Sequence, residues 1–579
     1  MSLGLLVVAV VLVYLPSLSG DLVWDDVLLI RDNPALGSPA TAWDAAWGDF
    51  YAQRPDLPRA GYLRPLPVLL NAATYQLWGA WALPYRVTNL LLHLGGALLL
   101  AWLLVRLGAP ASSTEANPTL STIWPPEGQG HPTSLPTSGQ SVGDDPTSLA
   151  RAPGSPPADG LVSGPLADGG PATWGLAAAA AALFALHPVQ TEAVAFVSAR
   201  TDLLAAVFAL LTVHAVLDAR AGRRRGFFLA PGFFVLSLLS KEAALLLPGA
   251  LLALLGFPRR RSVRRLLVFL GVLAMLYVGL RLVAGSLPSP AEPVGPHRLA
   301  SALNLAALYL RLLVWPTDLH LLYDDLPVDE VGWPAFVVLL LFFGWLASLR
   351  RPGLVRAAGT WLVCGLLPVL QLVPLATLAS ERYLYLPSLA LALGAWPLLD
   401  RARRYWPRLF VPGLSAVLLL AGLGSATRAL DWRDALQLWT AEASRPAASY
   451  KAFLNLGATL AERGRLPEAR RSLLLAWERQ PGDPTVWRNL VRVELGLVPT
   501  GPGMDPELRS RFLAEALSRS PDFVSLARYA VPLRQAGLEL LAHLLEERAA
   551  APARSSRRGG GVGCSAGRGC DRVPELVDP

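Results

Sequence analysis

Cysteine is almost missing from this 579-residue chain: there are three, Cys364 within an apolar run and Cys564 and Cys570 in a Gly/Arg-rich tail. That number and spacing exclude a disulfide framework and a cysteine metal site. Lysine is scarcer still, at Lys241 and Lys451, so nearly all of the 51 basic residues are arginine. Together with heavy use of Ala, Leu, Gly and Pro, this bias points to a GC-rich, bacterial genome. Charge of either sign is sparse, 16% of residues against 53% hydrophobic, and mean hydropathy is +0.41. Such a composition excludes an ordinary soluble protein. The net charge of +8 does not signal nucleic acid, because the arginines fall in short bursts between apolar runs; that is the positive-inside pattern.

Apolar stretches of about 20 residues, the length that crosses a bilayer as helix, recur along the chain. The first, Leu3 to Leu18, lacks both a basic leader and a small-residue cleavage site, so it reads as a retained span. Taking the bursts Arg220–Arg225, Arg259–Arg265, Arg350–Arg356 and Arg401–Arg408 as cytoplasmic anchors, spans alternate near 3–19, 86–107, 173–187, 202–219, 226–240, 242–257, 266–284, 333–349, 357–375, 384–400 and 409–426. The scheme has about eleven crossings by that length criterion. It puts the N-terminus in the cytoplasm and the C-terminus outside, with a helix near 299–315 lying on or dipping into the outer face rather than crossing. The expected domains are 1–107, first spans with an acidic outer loop; 108–172, a Pro/Ser/Thr/Gly-rich disordered cytoplasmic insert; 173–428, the remaining membrane core; 429–549, a polar helical domain; and 550–579, a disordered tail.

Within the polar domain, Phe453, Leu456, Gly457, Leu460, Ala469, Leu473, Ala476 and Pro481 match one tetratricopeptide repeat, a helix pair of about 34 residues. Trp487 and Leu490 stand one such period beyond Phe453 and Leu456, and Ala435 one period before Ala469. The fold expected is therefore all-α: a multi-pass membrane domain followed by an extracytoplasmic α-solenoid of these repeats. A plain amphipathic hairpin would give similar spacing.

Chemistry-bearing residues gather on the expected outer side. In Trp24-Asp25-Asp26, two acids sit at the mouth of the membrane, where they can take a proton from a hydroxyl or hold a divalent cation through oxygen; a helix cap is the competing reading. Arg64 lies in Tyr62-Leu63-Arg64-Pro65-Leu66. Asn89 and His93 share a helix face, which suits either a site or helix-to-helix hydrogen bonding. His187, Glu192, Arg200 and Asp202 crowd a helical break, lining a polar cavity or merely holding the break by salt bridges. Lys241 suits a phosphate with Glu242 as its partner, or the two end short spans. Glu381, Arg382 and Tyr383 follow at another outer turn, where Arg382 could clamp a phosphate bidentately and Glu381 orient it, or the two form a surface ion pair.

Taken in order, W-D-D with D-N-P, Y-L-R-P-L, T-N-L-L-L-H, H-P-V-Q-T-E-A-V-A with S-A-R-T-D-L-L-A, S-K-E-A, E-R-Y-L-Y-L-P-S and the repeat module resemble the transmembrane and tetratricopeptide-repeat O-mannosyltransferases. These belong to the integral-membrane C-type glycosyltransferases (GT-C). Residues 300–325 resemble that family's central region more loosely. The resemblance implies a polyprenyl-phosphate sugar as co-substrate, mannose being the expected sugar, and a Ser or Thr hydroxyl of an exported protein as acceptor, with the repeats presenting a groove for it. It implies that Asp25 or Asp26 activates the hydroxyl while the other orients it or binds a metal. His187, Glu192, Arg200 and Asp202 would shape the site, and Arg382 and Lys241 would neutralise the phosphate leaving group. The implied setting is a bacterial inner membrane with the repeats in the periplasm. The short repeat array and the insert depart from the family pattern. A non-catalytic membrane scaffold and a transporter of lipid-linked sugars are the alternatives; against the latter, the chain shows no internal hydropathy repeat.

Overall fold

The computed structural model describes residues 1–51, 61–108, 170–283 apart from 257 and 259, 296–323, 332–349, 353–497 apart from 374 and 376, 506–518 and 521–557. The expected insert, apart from its first and last residues, and most of the expected tail lie outside the described residues. The described chain is helical, and no strand occurs among the described residues. It divides into two compact units, Met1–Asp434 and Ala435–Pro579.

In the first unit a helix forms in each segment expected to cross the membrane. Four helices, Ala82–Leu107, Val197–Arg220, Arg261–Val283 and Pro407–Asp431, are long and apolar enough to span, by length and composition; five more apolar helices are shorter. Exposed faces on these helices are strongly apolar: Phe343 is 61%, Leu420 71% and Met275 70% exposed. A helix apolar all round is one that lies in a core or a membrane. The interior instead uses small residues. Ala177 to Ala182 are buried where Pro171–Ala185 packs. At Gly226 a Cβ would lie 2.3 Å from the Ala219 nitrogen and 2.4 Å from the Ala215 oxygen, so only glycine lets Arg224–Ser240 lie against Arg200–Arg220. The helix Pro296–Val314, expected to lie on or dip into the outer face, buries Leu305, Tyr309 and Leu312 beside Val189, Leu366 and Leu384.

Two interruptions shape the site. After Leu3–Leu18 the chain turns through Trp24, whose φ of 55° is unusual for a bulky residue, and enters a short π-helix at Val27–Arg31. Further on, Gln190–Ala195 ends at Phe196, a 3₁₀ turn covers Val197–Ala199, and Arg200–Arg220 begins. Such a break frees backbone groups that need partners inside a membrane protein. Asn89 supplies them: its amide donates to the carbonyls of Phe196 at 3.0 Å and Val194 at 3.3 Å.

The second unit has its own core. Tyr450–Glu462 and Leu466–Arg479 form a hairpin that buries Phe453, Ala469, Leu473 and Ala476; Leu456 is half-buried, and Pro481 lies exposed in the turn that follows. A Cβ at Gly457 would meet Leu473 at 2.6 Å, which explains a glycine there. Phe523 meets Trp477 and Trp487 edge-on, and the two tryptophans are tilted against each other.

Candidate active site

The two acids of Trp24-Asp25-Asp26 have different surroundings. Asp26 is fully buried. Its carboxylate accepts from the Ser198 hydroxyl at 2.6 Å and backbone N–H at 2.7 Å, and from the N–H groups of Val23 and Val197 at 3.4 Å. It therefore ties the loop after Leu3–Leu18 to the broken helix, besides accepting from Val23 within its own turn. Burial lifts its pKa to about 6, against the pull of Ser198 and Arg86. Asp25 is half-buried and accepts a hydrogen bond from the Tyr51 hydroxyl at 3.0 Å. Burial pushes its carboxyl up from the ordinary range, while Arg382 and the Tyr51 hydrogen bond pull it down. With both Asp26 oxygens taken up by N–H and O–H donors, the pair offers a cation one carboxylate, not two. Among the described residues no group of three His, Cys, Asp or Glu is gathered as a metal site.

Three cations stand on aromatic faces nearby. Arg382 lies over Trp24 at 5.6 Å, Phe196 at 5.4 Å and Tyr383 at 5.8 Å. Lys241 lies over the same Tyr383 at 4.8 Å. Arg64 lies over Tyr62 at 4.3 Å and Phe50, the neighbour of Tyr51, at 5.6 Å. Each cation has a carboxylate that fixes it. Glu192, fully buried, pairs with Arg382 at 3.3 Å, accepts from the Arg382 N–H at 2.9 Å and takes the Ser380 hydroxyl on both oxygens. Burial works against the Arg382 charge, but Glu192 holds its pKa above the usual value.

Neither adjacent pair in the sequence is a pair in space. Lys241 bonds Asp202 at 2.6 Å, whereas Glu242 holds Arg64 at 2.8 and 3.4 Å. Lys241 is extended, so it and the next residue point to opposite sides. Likewise Arg382 pairs with Glu192, while Glu381 accepts from Tyr323 at 3.3 Å and faces Arg428 at 3.4 Å. The expected Lys241–Glu242 and Glu381–Arg382 partnerships are thus both replaced.

Four residues expected in the site are not brought to this cluster. Arg200, fully buried, donates to Asn71 at 2.7 Å, to Asn89 at 3.3 Å and to the Tyr85 carbonyl at 3.1 Å. Asn89 and Arg200 together brace the helix break. His93 bonds Tyr385 at 2.9 Å and the Ala185 carbonyl at 3.0 Å, and His187 bonds the Leu313 carbonyl at 3.1 Å while accepting from the Val189 N–H. Both ring nitrogens of each histidine are engaged in packing contacts. Conversely, Tyr51, Ser198 and Ser380 carry contacts that the sequence did not single out. Tyr51 is joined to Asp25 across the loop, and no spacing rule links them.

The protein O-mannosyl-transferase Tmtc3 of Drosophila melanogaster is 26% identical to this chain over 547 residues, covering 80% of this chain and 53% of its own length. F38B6.6 of Caenorhabditis elegans, also named a protein O-mannosyl-transferase, is 25% identical over 328 residues, 53% of this chain and 46% of its own length. Tmtc1 of Drosophila melanogaster is 25% identical over 415 residues, 52% of this chain and 48% of its own length. This chain is similar to these protein O-mannosyl-transferases. It spans about half the length of the curated relatives it matches. No family model and no solved structure matches it. In this chain the half-buried acid, the paired cations and the aromatic rings all lie in the first unit.

Proposed function

We propose that the chain is a GT-C-type membrane glycosyltransferase that moves a sugar, mannose by analogy with the relatives' names, from a polyprenyl phosphate to a Ser or Thr hydroxyl of an exported protein. The observation that carries this reading is one half-buried carboxylate, Asp25, beside Arg382, which shares the Tyr383 ring with Lys241; the two cations are held by Glu192 and Asp202.

In the proposed step Asp25 takes the proton as the acceptor oxygen attacks the anomeric carbon. The bond from that carbon to the phosphate oxygen breaks, and the electron pair leaves with the polyprenyl phosphate. A single displacement of this kind inverts the anomeric centre. Arg382 and Lys241, pre-oriented by their carboxylates, meet the growing negative charge on the phosphate; donors fixed beforehand need no reorganisation as charge develops. Asp26 keeps its neighbour in place by anchoring the loop to Ser198. The rings of Trp24, Tyr62 and Tyr383 offer faces on which a sugar packs. About eleven spans, an extracytoplasmic site, and a second unit that acts as a short tetratricopeptide array binding the acceptor complete the proposal. In a bacterium the setting is the inner membrane.

The test is transfer from synthetic polyprenyl-phosphate mannose to Ser/Thr peptides and exported proteins by membranes carrying wild type, Asp25→Asn or Asp26→Asn. Transfer that Asp25→Asn abolishes in folded protein supports the reading. Equal transfer by wild type and Asp25→Asn, or none from any polyprenyl-linked sugar, overturns it in favour of a scaffold.

A further inference from the structure

An open trough of about 640 Å³ runs between Leu247–Leu255 and Arg261–Val283. That volume lies within the range of small-molecule sites, roughly 300–1,000 Å³. Its walls include Leu245, Leu246, Gly249, Val268, Gly271 and Met275. Val268 is 67% and Met275 70% exposed, so the trough opens towards the surroundings of the membrane helices rather than into the core. Small residues form it: a Cβ at Gly271 would meet nothing within 4 Å.

One end of the trough adjoins the Arg64–Glu242 ion pair, one residue along the chain from Lys241. Leu245 and Leu246 close the 3₁₀ turn that begins at Glu242, the carboxylate holding Arg64. On the opposite wall Leu276 precedes Tyr277, whose hydroxyl donates to the Leu63 carbonyl at 3.2 Å, and Arg281 donates to the Gly61 carbonyl at 2.6 Å. Both walls therefore end on the segment that carries Arg64. An apolar channel with cations at its mouth suits a chain ending in a phosphate.

We propose that this trough is the binding site for the isoprenoid chain of the donor, with the first isoprene units at Leu245, Leu246 and Leu276 and the chain running past Gly271 towards Val268. The inference rests on the proposed transferase reading. The far end is bordered by Arg261, Arg264 and Arg265, which share Val268 and Val272 with a second, smaller depression. An anionic phospholipid entering from that end is the rival occupant, and the experiment separates the two.

Gly271→Leu places a side chain in open space within the trough. With the full-length protein in nanodiscs, it is expected to raise KM for a long polyprenyl-phosphate sugar about tenfold with kcat unchanged, since only binding remote from the reaction is lost. KM for a geranyl-phosphate analogue, whose two isoprene units occupy only the Leu245, Leu246 and Leu276 end in this placement, is expected to stay at the wild-type value. Equal KM changes for both donors, or none, overturn the proposal. A readout independent of turnover is photolabelling of wild type by a diazirine-bearing polyprenyl phosphate. Label in 245–249 and 268–276, competed by polyprenyl phosphate but not by phosphatidylglycerol, supports the site. Label elsewhere, or competition by phosphatidylglycerol, overturns it. If the labelling succeeds while no donor gives transfer, the chain site stands and the transferase reading fails.

Discussion

Two neighbouring aspartates carry opposite assignments because one is saturated by donors and the other is not. Asp25→Asn is expected to lower kcat by about two to four orders of magnitude, the usual contribution of a general base, with the thermal unfolding midpoint unchanged. Because Asp25 titrates above the ordinary carboxylate range, kcat/KM should rise with pH through that elevated value, and Asp25→Asn should remove the limb. Tyr51→Phe deletes a hydrogen bond that favours the ionised form, so the same limb should move to higher pH. Asp26 bears on stability. Its folded-state pKa, about 6, exceeds the ordinary unfolded value of about 4. The folded state thus holds the proton longer, and the stability from this group is present below the unfolded value and lost as pH rises towards 6. Melting curves of wild type against Asp26→Asn should show the wild type losing ground across that window. Equal slopes for the two proteins would remove this assignment.

At the level of helices, packing and breaks determine where those residues stand. Gly226 sits so close to the backbone of Ala215 and Ala219 that Gly226→Ala must push two helices apart; overpacking of this kind costs about 1–3 kcal/mol. A lower melting temperature in detergent, with no change in KM for acceptor in the surviving folded fraction, is the expected outcome. The break at Phe196 is held by Asn89 and Arg200, and its geometry delivers Ser198 to Asp26 and Phe196 to Arg382. Charges gathered at a helix break were visible in the sequence as a group, but their individual contacts were not. Partners along a chain are easily misjudged at such places: an extended residue sends its side chain away from the next, and residues in a 3₁₀ turn stand a third of a turn apart. That is why Lys241 and Glu242, and Glu381 and Arg382, each pair elsewhere.

On the scale of the molecule, the second unit has a core separate from that of the first, built on Leu473, Trp487, Leu490, Phe512 and Leu541. Residues 435–557 expressed alone are expected to give a helical circular dichroism spectrum and a cooperative melt; a non-cooperative, featureless transition would contradict an independent core. The first unit carries apolar faces that water would not tolerate. Composition and hydrophobic period alone determined that much: an all-helical chain, several apolar helices, a polar helical unit after them, and the segments in which charged residues cluster. These properties are local, because a helix needs only its own backbone hydrogen bonds and a suitable run of side chains. Which of the clustered residues meet was decided only by the tertiary structure. Tyr51 reaches Asp25, Ser198 saturates Asp26 and Glu192 fixes Arg382 across intervals that no periodicity spans. Buried polar groups must find partners wherever packing brings donor and acceptor together, and packing depends on the whole chain.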